Sequence, residues 1–164
     1  MTNHGTARKV ALGAMLAAAV TLATMIHIPM PGVRIYFNLG EGVIYVIAIL
    51  LGARYGALSG GIGAALADLL LGYPLWAPLT LLIKGTEGAI VGILAPKGRK
   101  RALLAGALVM IAGYTTSAGL LYGWKVAPME LVTDLAQTGI GTAFALLFAP
   151  LLGKRLAAFK GNAS

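Results

Sequence analysis

Residues 39–95 decide the fold of this chain: LGEGVIYVIAILLGARYGALSGGIGAALADLLLGYPLWAPLTLLIKGTEGAIVGILA. Three apolar segments, roughly 39–53, 55–72 and 79–95, are separated here only by short breaks. The first two meet at Gly-Ala-Arg-Tyr-Gly, residues 52–56, a turn too tight for anything but a helical hairpin. A helix of about 20 residues crosses ~30 Å of hydrocarbon, and a shorter one suffices where the bilayer thins. The stretch therefore predicts three consecutive membrane-spanning helices.

Apolar segments on both sides of this stretch extend the pattern to six helices. Hydrophobic residues make up 59% of the 164 positions and charged residues 11%, and the mean hydropathy of +0.86 is far above that of a soluble domain. We expect an all-α integral membrane protein whose single domain, residues 1–164, is a compact bundle of six transmembrane helices. The first segment has the basic start of a signal peptide, but its apolar run is longer than a signal core, so we expect it to be retained. The predicted helices cover approximately residues 8–28, 38–53, 55–72, 78–95, 102–124 and 130–153.

The lysines and arginines predict the orientation of the bundle. With six spans, the side that holds both termini collects most of them, whereas the opposite side receives only Arg34 and Lys125. By the positive-inside rule both termini are cytoplasmic, in the cell membrane of a prokaryote. The net charge of +8 then reflects topology and contact with anionic membrane lipids, not binding to nucleic acid. The predicted cytoplasmic set is Arg8, Lys9, Arg54, Lys97, Arg99, Lys100, Arg101, Lys154, Arg155 and Lys160.

Five charged side chains lie inside the apolar segments: Glu41, Asp68, Lys84, Glu87 and Asp134. A charge at the centre of a bilayer costs at least ~2.5–3.5 kcal/mol, so such residues usually face the bundle interior and mark a site. Placed by depth, these five lie in the outer half of the membrane or near its midplane, while the inner halves of the helices are almost wholly aliphatic. This distribution predicts a polar pocket that opens only to the exterior.

Aromatic residues in the predicted outer loops support such a pocket. The loop 29–37 between the first two helices ends in aromatic residues, and Tyr73 and Trp76 lie between the third and fourth helices. Aromatic rings with a few fixed polar groups are suited to binding flat, polar small molecules. The candidate substrate-binding residues are Asn38, Glu41, Asp68, Tyr73, Trp76, Lys84, Glu87, Tyr114, Asp134 and Gln137.

Each of these residues also has a purely structural interpretation. The aromatic residues can belong to the interfacial aromatic belt of a membrane protein. Asp68 and Lys84 can form an ion pair between the third and fourth helices, or Lys84 can pair with Glu87 at i,i+3. Glu41 lies in the first turn of a helix, where a carboxylate complements the helix dipole, and Glu130 is expected to be an interfacial cap.

Small residues provide a second signal. The spacings Gly56–Gly60 and Gly88–Gly92 allow close approach of helix backbones, and internal packing of the third and fourth helices is the favoured explanation. The first helix carries Ala11, Ala14 and Ala18 along one stripe. Its small side chains extend over more of the helix than packing against one neighbouring helix requires. We therefore expect this stripe to dock onto another protein.

Several classes of function are absent from the sequence. There is no G-x-x-x-x-G-K-[ST] loop for ATP and no nucleophile–base constellation, so an enzyme is not expected. The chain has no cysteine, and neither His4 nor His27 is placed to bind a metal, so no metal or cofactor is expected. Any energy for transport has to come from another subunit.

The stretch Arg34–Leu94 resembles the substrate-binding (S) components of energy-coupling factor (ECF) vitamin transporters. The matching elements are N-L-G-E (Asn38–Glu41), the G-x-x-x-G-G-x-G run that is followed by A-D-L (Ala67–Leu69), and I-K-G-x-E-G (Ile83–Gly88). The likeness is greatest to the group that contains the riboflavin, hydroxymethylpyrimidine and pyridoxine-type S components. The order and spacing of these elements make the resemblance specific.

This resemblance implies a high-affinity binding subunit of an ABC importer. A vitamin or precursor would be bound from outside by helices four to six and the loops that cap them. The alanine stripe would dock onto a transmembrane coupling (T) subunit that carries two ATPase subunits, and the register Ala14–Ala18 matches the expected spacing. Because a pocket with this much carboxylate suits a dianionic phosphate ester poorly, we expect a small neutral pyrimidine, pyridine or flavin-type vitamin.

Two other functions remain open at this point. A stand-alone carrier coupled to protons or ions would use Asp68 and Glu87 as proton sites. A structural membrane protein would use its charged residues only to hold helices together.

Overall fold

The computed structural model describes residues 3–30, 32 and 35–161, and within these ranges the chain forms six α-helices and one short β-hairpin. The all-α, six-helix architecture expected from the sequence is confirmed. Arg34, which was counted among the charges of the outer side, lies outside the described residues. The elements are α1 (Asn3–Met25), β1 (His27–Pro29), β2 (Tyr36–Asn38), α2 (Gly40–Leu51), α3 (Ala53–Leu71), α4 (Ala77–Leu94), α5 (Arg99–Tyr122) and α6 (Ala127–Gly161), with a short 3-10 turn at Ala95–Lys97.

A β-hairpin replaces the last residues of the predicted first helix. The first helix was expected over residues 8–28, but α1 runs from Asn3 to Met25. Residues 27–29 instead pair antiparallel with residues 36–38, with His27 opposite Asn38. Because each strand has only three residues, the sequence contains no alternating pattern that would predict the hairpin. We call the end of the bundle that carries this hairpin the hairpin end.

Helices α2 and α3 meet in the tight turn that the sequence predicted. Gly52 alone separates them, with a φ of 83° that disfavours any residue with a side chain. The 12 residues of α2 extend only about 18 Å, short of a bilayer core, and most of this helix is buried in the bundle. In the described part of the chain, four helices are long and apolar enough to cross a membrane: Gly5–Met25, Ala77–Lys97, Arg99–Tyr122 and Ala127–Arg155.

Glycines hold α3 and α4 together. A methyl group at Gly60 would lie 2.9 Å from the carbonyl oxygen of Lys84, and one at Gly61 would lie 2.8 Å from that of Leu81. A side chain at Gly88 would overlap the backbone of Gly56. The two backbones therefore touch where only glycine fits, which is the close packing that the glycine spacing predicted.

The buried centre of the bundle lies on both sides of α2. On one side Tyr45 packs with Val91 of α4 and Leu103 of α5. On the other side Ile44 packs with Val20 of α1. A third buried apolar cluster, formed by Ile35, Trp76 and Ala118, lies at the hairpin end beside the polar residues.

Candidate ligand-binding site

A cavity opens among the helix ends at the hairpin end of the bundle. It is narrow, with a cavity volume of about 30 Å³. The wall residues come from the hairpin and from α3, α4, α5 and α6, together with the connection that precedes α4. They are Ile35, Tyr36, Asn38, Asp68, Trp76, Thr80, Met110, Tyr114, Glu130, Asp134 and Gln137.

Tyr36 of β2 connects the hairpin to α3. Its hydroxyl donates a hydrogen bond to Oδ1 of Asp68, and its ring lies 4.9 Å from that of Tyr73. Burial, and then the neighbouring carboxylate of Asp68, raise the pKa of Tyr36 well above its usual value near 10. The phenol therefore stays protonated and remains a donor to Asp68. The other oxygen of Asp68, Oδ2, is buried and has no hydrogen-bond partner among the described residues.

Aromatic rings form the next part of the wall. The indole of Trp76, 4% exposed, lies 5.6 Å from the ring of Tyr114 and donates to the hydroxyl of Tyr122 at 3.0 Å. The hydroxyl of Tyr114 donates to Thr80 Oγ1, also at 3.0 Å. These bonds fix the rings at an angle at which a flat ligand can contact an aromatic face.

Helix α6 contributes amide and carboxylate groups to the same cavity. The side-chain oxygen of Gln137 accepts hydrogen bonds from the backbone N–H of Asn38 at 2.8 Å and from its Nδ2 at 3.0 Å. One turn earlier, Oδ2 of Asp134 accepts from the hydroxyl of Thr115 of α5 at 3.2 Å. These contacts fix α6 against the hairpin and α5, and both side chains remain on the cavity wall.

Glu130 is a charged cavity residue that was not among the predicted site residues. A carboxylate in the first turn of a helix was expected to be an interfacial cap. The side chain is instead 6% exposed and lines the cavity, and Oε2 has no partner in the part of the chain that the structure describes. A first-turn carboxylate has the same local sequence in both cases, so no pattern separates a cap from a cavity wall.

Three of the predicted site residues form a separate buried cluster. Lys84 Nζ contacts Oε2 of Glu41 on α2 and lies 3.0 Å from Oε2 of Glu87, one turn along α4. The hydroxyl of Tyr45 donates to Oε1 of Glu87 at 3.0 Å. The ion pairs of Lys84 in the described ranges are with these two glutamates, not with Asp68.

This cluster, Glu41–Tyr45–Lys84–Glu87, is not on the cavity wall as the structure describes it. Glu41 is 1%, Lys84 2% and Glu87 0% exposed. The link to the cavity is Tyr114, since Nζ of Lys84 lies 5.4 Å from the centre of its ring. The cluster therefore joins α2 to α4 next to the cavity.

The remaining predicted residues fall into place around the cavity. Asn38, Asp68, Trp76, Tyr114, Asp134 and Gln137 line it, and Tyr73 contacts it through the ring of Tyr36. Residues that line it and were not among the predicted site residues are Ile35, Tyr36, Thr80, Met110 and Glu130.

Comparison with known proteins agrees with this architecture. The sequence profile of the family described as "ECF-type riboflavin transporter, S component" matches residues 4–161, nearly the whole chain. The chain belongs to this family. It is an S component, and S components are multi-pass proteins of the cell membrane that bind substrate for transport and are not enzymes.

Two relatives of this S component are similar over most of their lengths. One is the thiamine precursor transporter HmpT of Lactococcus lactis subsp. cremoris (strain MG1363), 31% identical over 93% of this chain and 91% of that protein. The other is an uncharacterized protein from a "gap 3'region" of Pyrococcus woesei, 42% identical over 84% of this chain and 97% of that protein. The recognition made from the sequence motifs is thereby confirmed.

The alanine stripe of this S component lies on the outside of the bundle. Ala11, Ala14 and Ala18 are exposed, while Ala17 and Val20 face inward. Within the described part of the chain, this face of α1 is therefore exposed, as a docking surface has to be.

Proposed function

We propose that this S component binds a small vitamin or vitamin precursor in the cavity at the hairpin end. The observation that carries the proposal is the cavity itself, whose wall combines the aromatic rings of Trp76 and Tyr114 with the polar groups of Asp68, Asp134 and Gln137. The aromatic and aliphatic side chains of the wall supply burial for a ring, and its polar groups set the orientation of the ligand.

The hairpin end is proposed to face the outside of the cell. The basic residues of the two connections at the opposite end, Arg54 and Lys97–Arg101, support this orientation by the positive-inside rule. Both termini would then be cytoplasmic. The ligand would enter from outside, as expected for an importer.

A transmembrane coupling subunit and two ATPase subunits are proposed as the partners. The described part of the chain contains no nucleotide-binding loop, so transport against a gradient requires an external source of energy. The exposed stripe Ala11, Ala14 and Ala18 supports docking through α1, because small side chains let a partner helix approach closely.

The ligand class is proposed to be a pyrimidine, pyridine or flavin-type vitamin or precursor. The description of the family names riboflavin as the ligand, and the relative HmpT is described as a thiamine precursor transporter. Both ligands are flat heterocycles with hydrogen-bonding substituents, and the aromatic and polar walls of the cavity suit either one.

Uptake in cells tests the proposal. The S component is produced with and without the coupling and ATPase subunits, and accumulation of radiolabelled riboflavin and hydroxymethylpyrimidine is measured. We expect accumulation of one of them only when all subunits are present. Equal, ionophore-sensitive uptake without those subunits would instead support the stand-alone carrier.

A further inference from the structure

We propose that the cavity selects a heterocycle that carries a positive charge or a protonatable ring amine, and that Glu130 is a specificity-determining residue that receives it. This inference rests on the proposed function, because it concerns the ligand of the same cavity. It departs from the neutral ligand expected from the sequence, and it assigns a residue that contacts the ligand.

Three carboxyl groups line the cavity: those of Asp68, Glu130 and Asp134. They come from two helices, α3 and α6, whose ends meet at the hairpin end. Among the described wall residues there is no lysine or arginine. Lys84, the cation among the predicted site residues, is already held by Glu41 and Glu87. A group that enters this cavity therefore meets acidic side chains without a balancing cation on the wall.

Two carboxylate oxygens on this wall have no hydrogen-bond partner in the described ranges: Oδ2 of Asp68 and Oε2 of Glu130. Both side chains are more than nine-tenths buried, Asp68 at 2% and Glu130 at 6% exposed. A buried acceptor without a donor is unfavourable, so such groups usually have a purpose. An N–H or ring-amine donor on a ligand would satisfy both oxygens, and a positive charge would strengthen the hydrogen bonds.

The aromatic side of the cavity fits the same ligand. The rings of Trp76 and Tyr114 lie 5.6 Å apart at 41°, and both line the cavity. The electron-rich faces of such rings attract cations, including flat cationic heterocycles. The acidic groups and the aromatic rings that line this cavity both favour positive charge, and both disfavour a phosphate ester.

Equilibrium binding to the purified full-length protein tests the inference. The probes are 4-amino-5-hydroxymethyl-2-methylpyrimidine, its 4-oxo analogue, its phosphate ester, thiamine and riboflavin, measured by isothermal titration calorimetry. We expect the aminopyrimidine or thiamine to bind most tightly. The 4-oxo analogue loses an amine donor, and the phosphate ester brings a negative charge, so each should bind roughly 100-fold more weakly or not at all.

The variant Glu130→Gln keeps the shape of the side chain and removes its charge. It should raise the Kd of the preferred probe by roughly 10- to 100-fold. The binding of the phosphate ester should weaken less, or even become tighter. Met129→Gln is the matched control, because it places the same amide one residue away on a side chain that is 44% exposed. Its Kd values should equal those of the wild type, and circular dichroism checks that both variants are folded.

Two results would overturn the inference while leaving the proposed function intact. One is tight binding of riboflavin or the 4-oxo analogue in preference to every amine. The other is an unchanged Kd in Glu130→Gln. If no probe binds to the folded wild-type protein, both proposals fail together.

Discussion

Replacing Lys84 by methionine should destabilise the bundle rather than only weaken ligand binding. Lys84 is 2% exposed and contacts two carboxylates that are themselves 1% and 0% exposed. Methionine has nearly the same length, so the change leaves little empty volume, and its main effect is electrostatic. Glu41 and Glu87 then stay buried without their cation.

The expected size of the effect follows from this geometry. Removal of one partner of a buried ion pair costs about 3–5 kcal/mol, because the charge that remains is uncompensated. The hydrogen bond from Tyr45 to Glu87 remains and offsets only part of this loss. We therefore expect Lys84→Met to lower the free energy of unfolding by about 3–5 kcal/mol.

Unfolding by SDS in mixed micelles, followed by far-UV circular dichroism, measures this difference. The control Lys125→Met removes an exposed lysine and should change stability by less than about 0.5 kcal/mol. The triple variant Glu41→Gln, Lys84→Met and Glu87→Gln removes all the charges and should recover most of the loss. If Lys84→Met unfolded like the wild type but failed to bind ligand, Lys84 would be a ligand contact, and the proposal that it stabilises the bundle by joining α2 to α4 would be wrong.

Three further variants test other parts of the account. Gly88→Leu should prevent close packing of α3 and α4 and abolish folding in the membrane. The control Gly139→Leu, at a position with no neighbour within 4 Å, should be tolerated. The yield of monodisperse protein on size exclusion distinguishes the two variants. The double variant Ala14→Leu, Ala18→Leu should block ATP-dependent uptake and leave the Kd for ligand within about twofold of the wild-type value, because these side chains face away from the bundle. An equal loss of binding and uptake would refute a docking role. Tyr36→Phe should raise the Kd by about 3- to 30-fold, because Asp68 loses its donor, and calorimetry measures it; an unchanged Kd would mean that this hydrogen bond does not shape the site.

The sequence predicted the helices and the main glycine contacts because both depend on local properties. Long apolar segments identify spans, and the tight turn at Gly52 follows from two short segments that meet. The glycine spacing predicted the α3–α4 contact since a side chain at those positions cannot fit. Most of the cavity residues were also predicted, because polar groups in apolar helices face inward.

The i,i+3 spacing offered the ion pair of Lys84 with Glu87, which the structure contains, but the other partners of the charged residues could not be predicted from the sequence. Depth alone placed Asp68 and Lys84 near each other, but the rotation of α2 brings Glu41 to Lys84 and leaves Asp68 to Tyr36. Such rotations depend on packing across the whole bundle, in which α2 is buried on both sides. Three-residue strands and a first-turn carboxylate such as Glu130 carry no pattern of their own, so the hairpin and this cavity residue were missed.

Trp76 offers the most direct test of the central claim that the hairpin-end cavity binds a vitamin or precursor. Trp124 is 65% exposed and does not line the cavity, so Trp124→Phe leaves the 4%-exposed Trp76 as the single indole reporter on the cavity wall. We predict a saturable change in Trp76 fluorescence when this variant is titrated with the vitamin panel, and loss of the change in Asp68→Asn. A folded protein whose Trp76 emission stays constant with every probe, riboflavin and hydroxymethylpyrimidine included, would contradict the account.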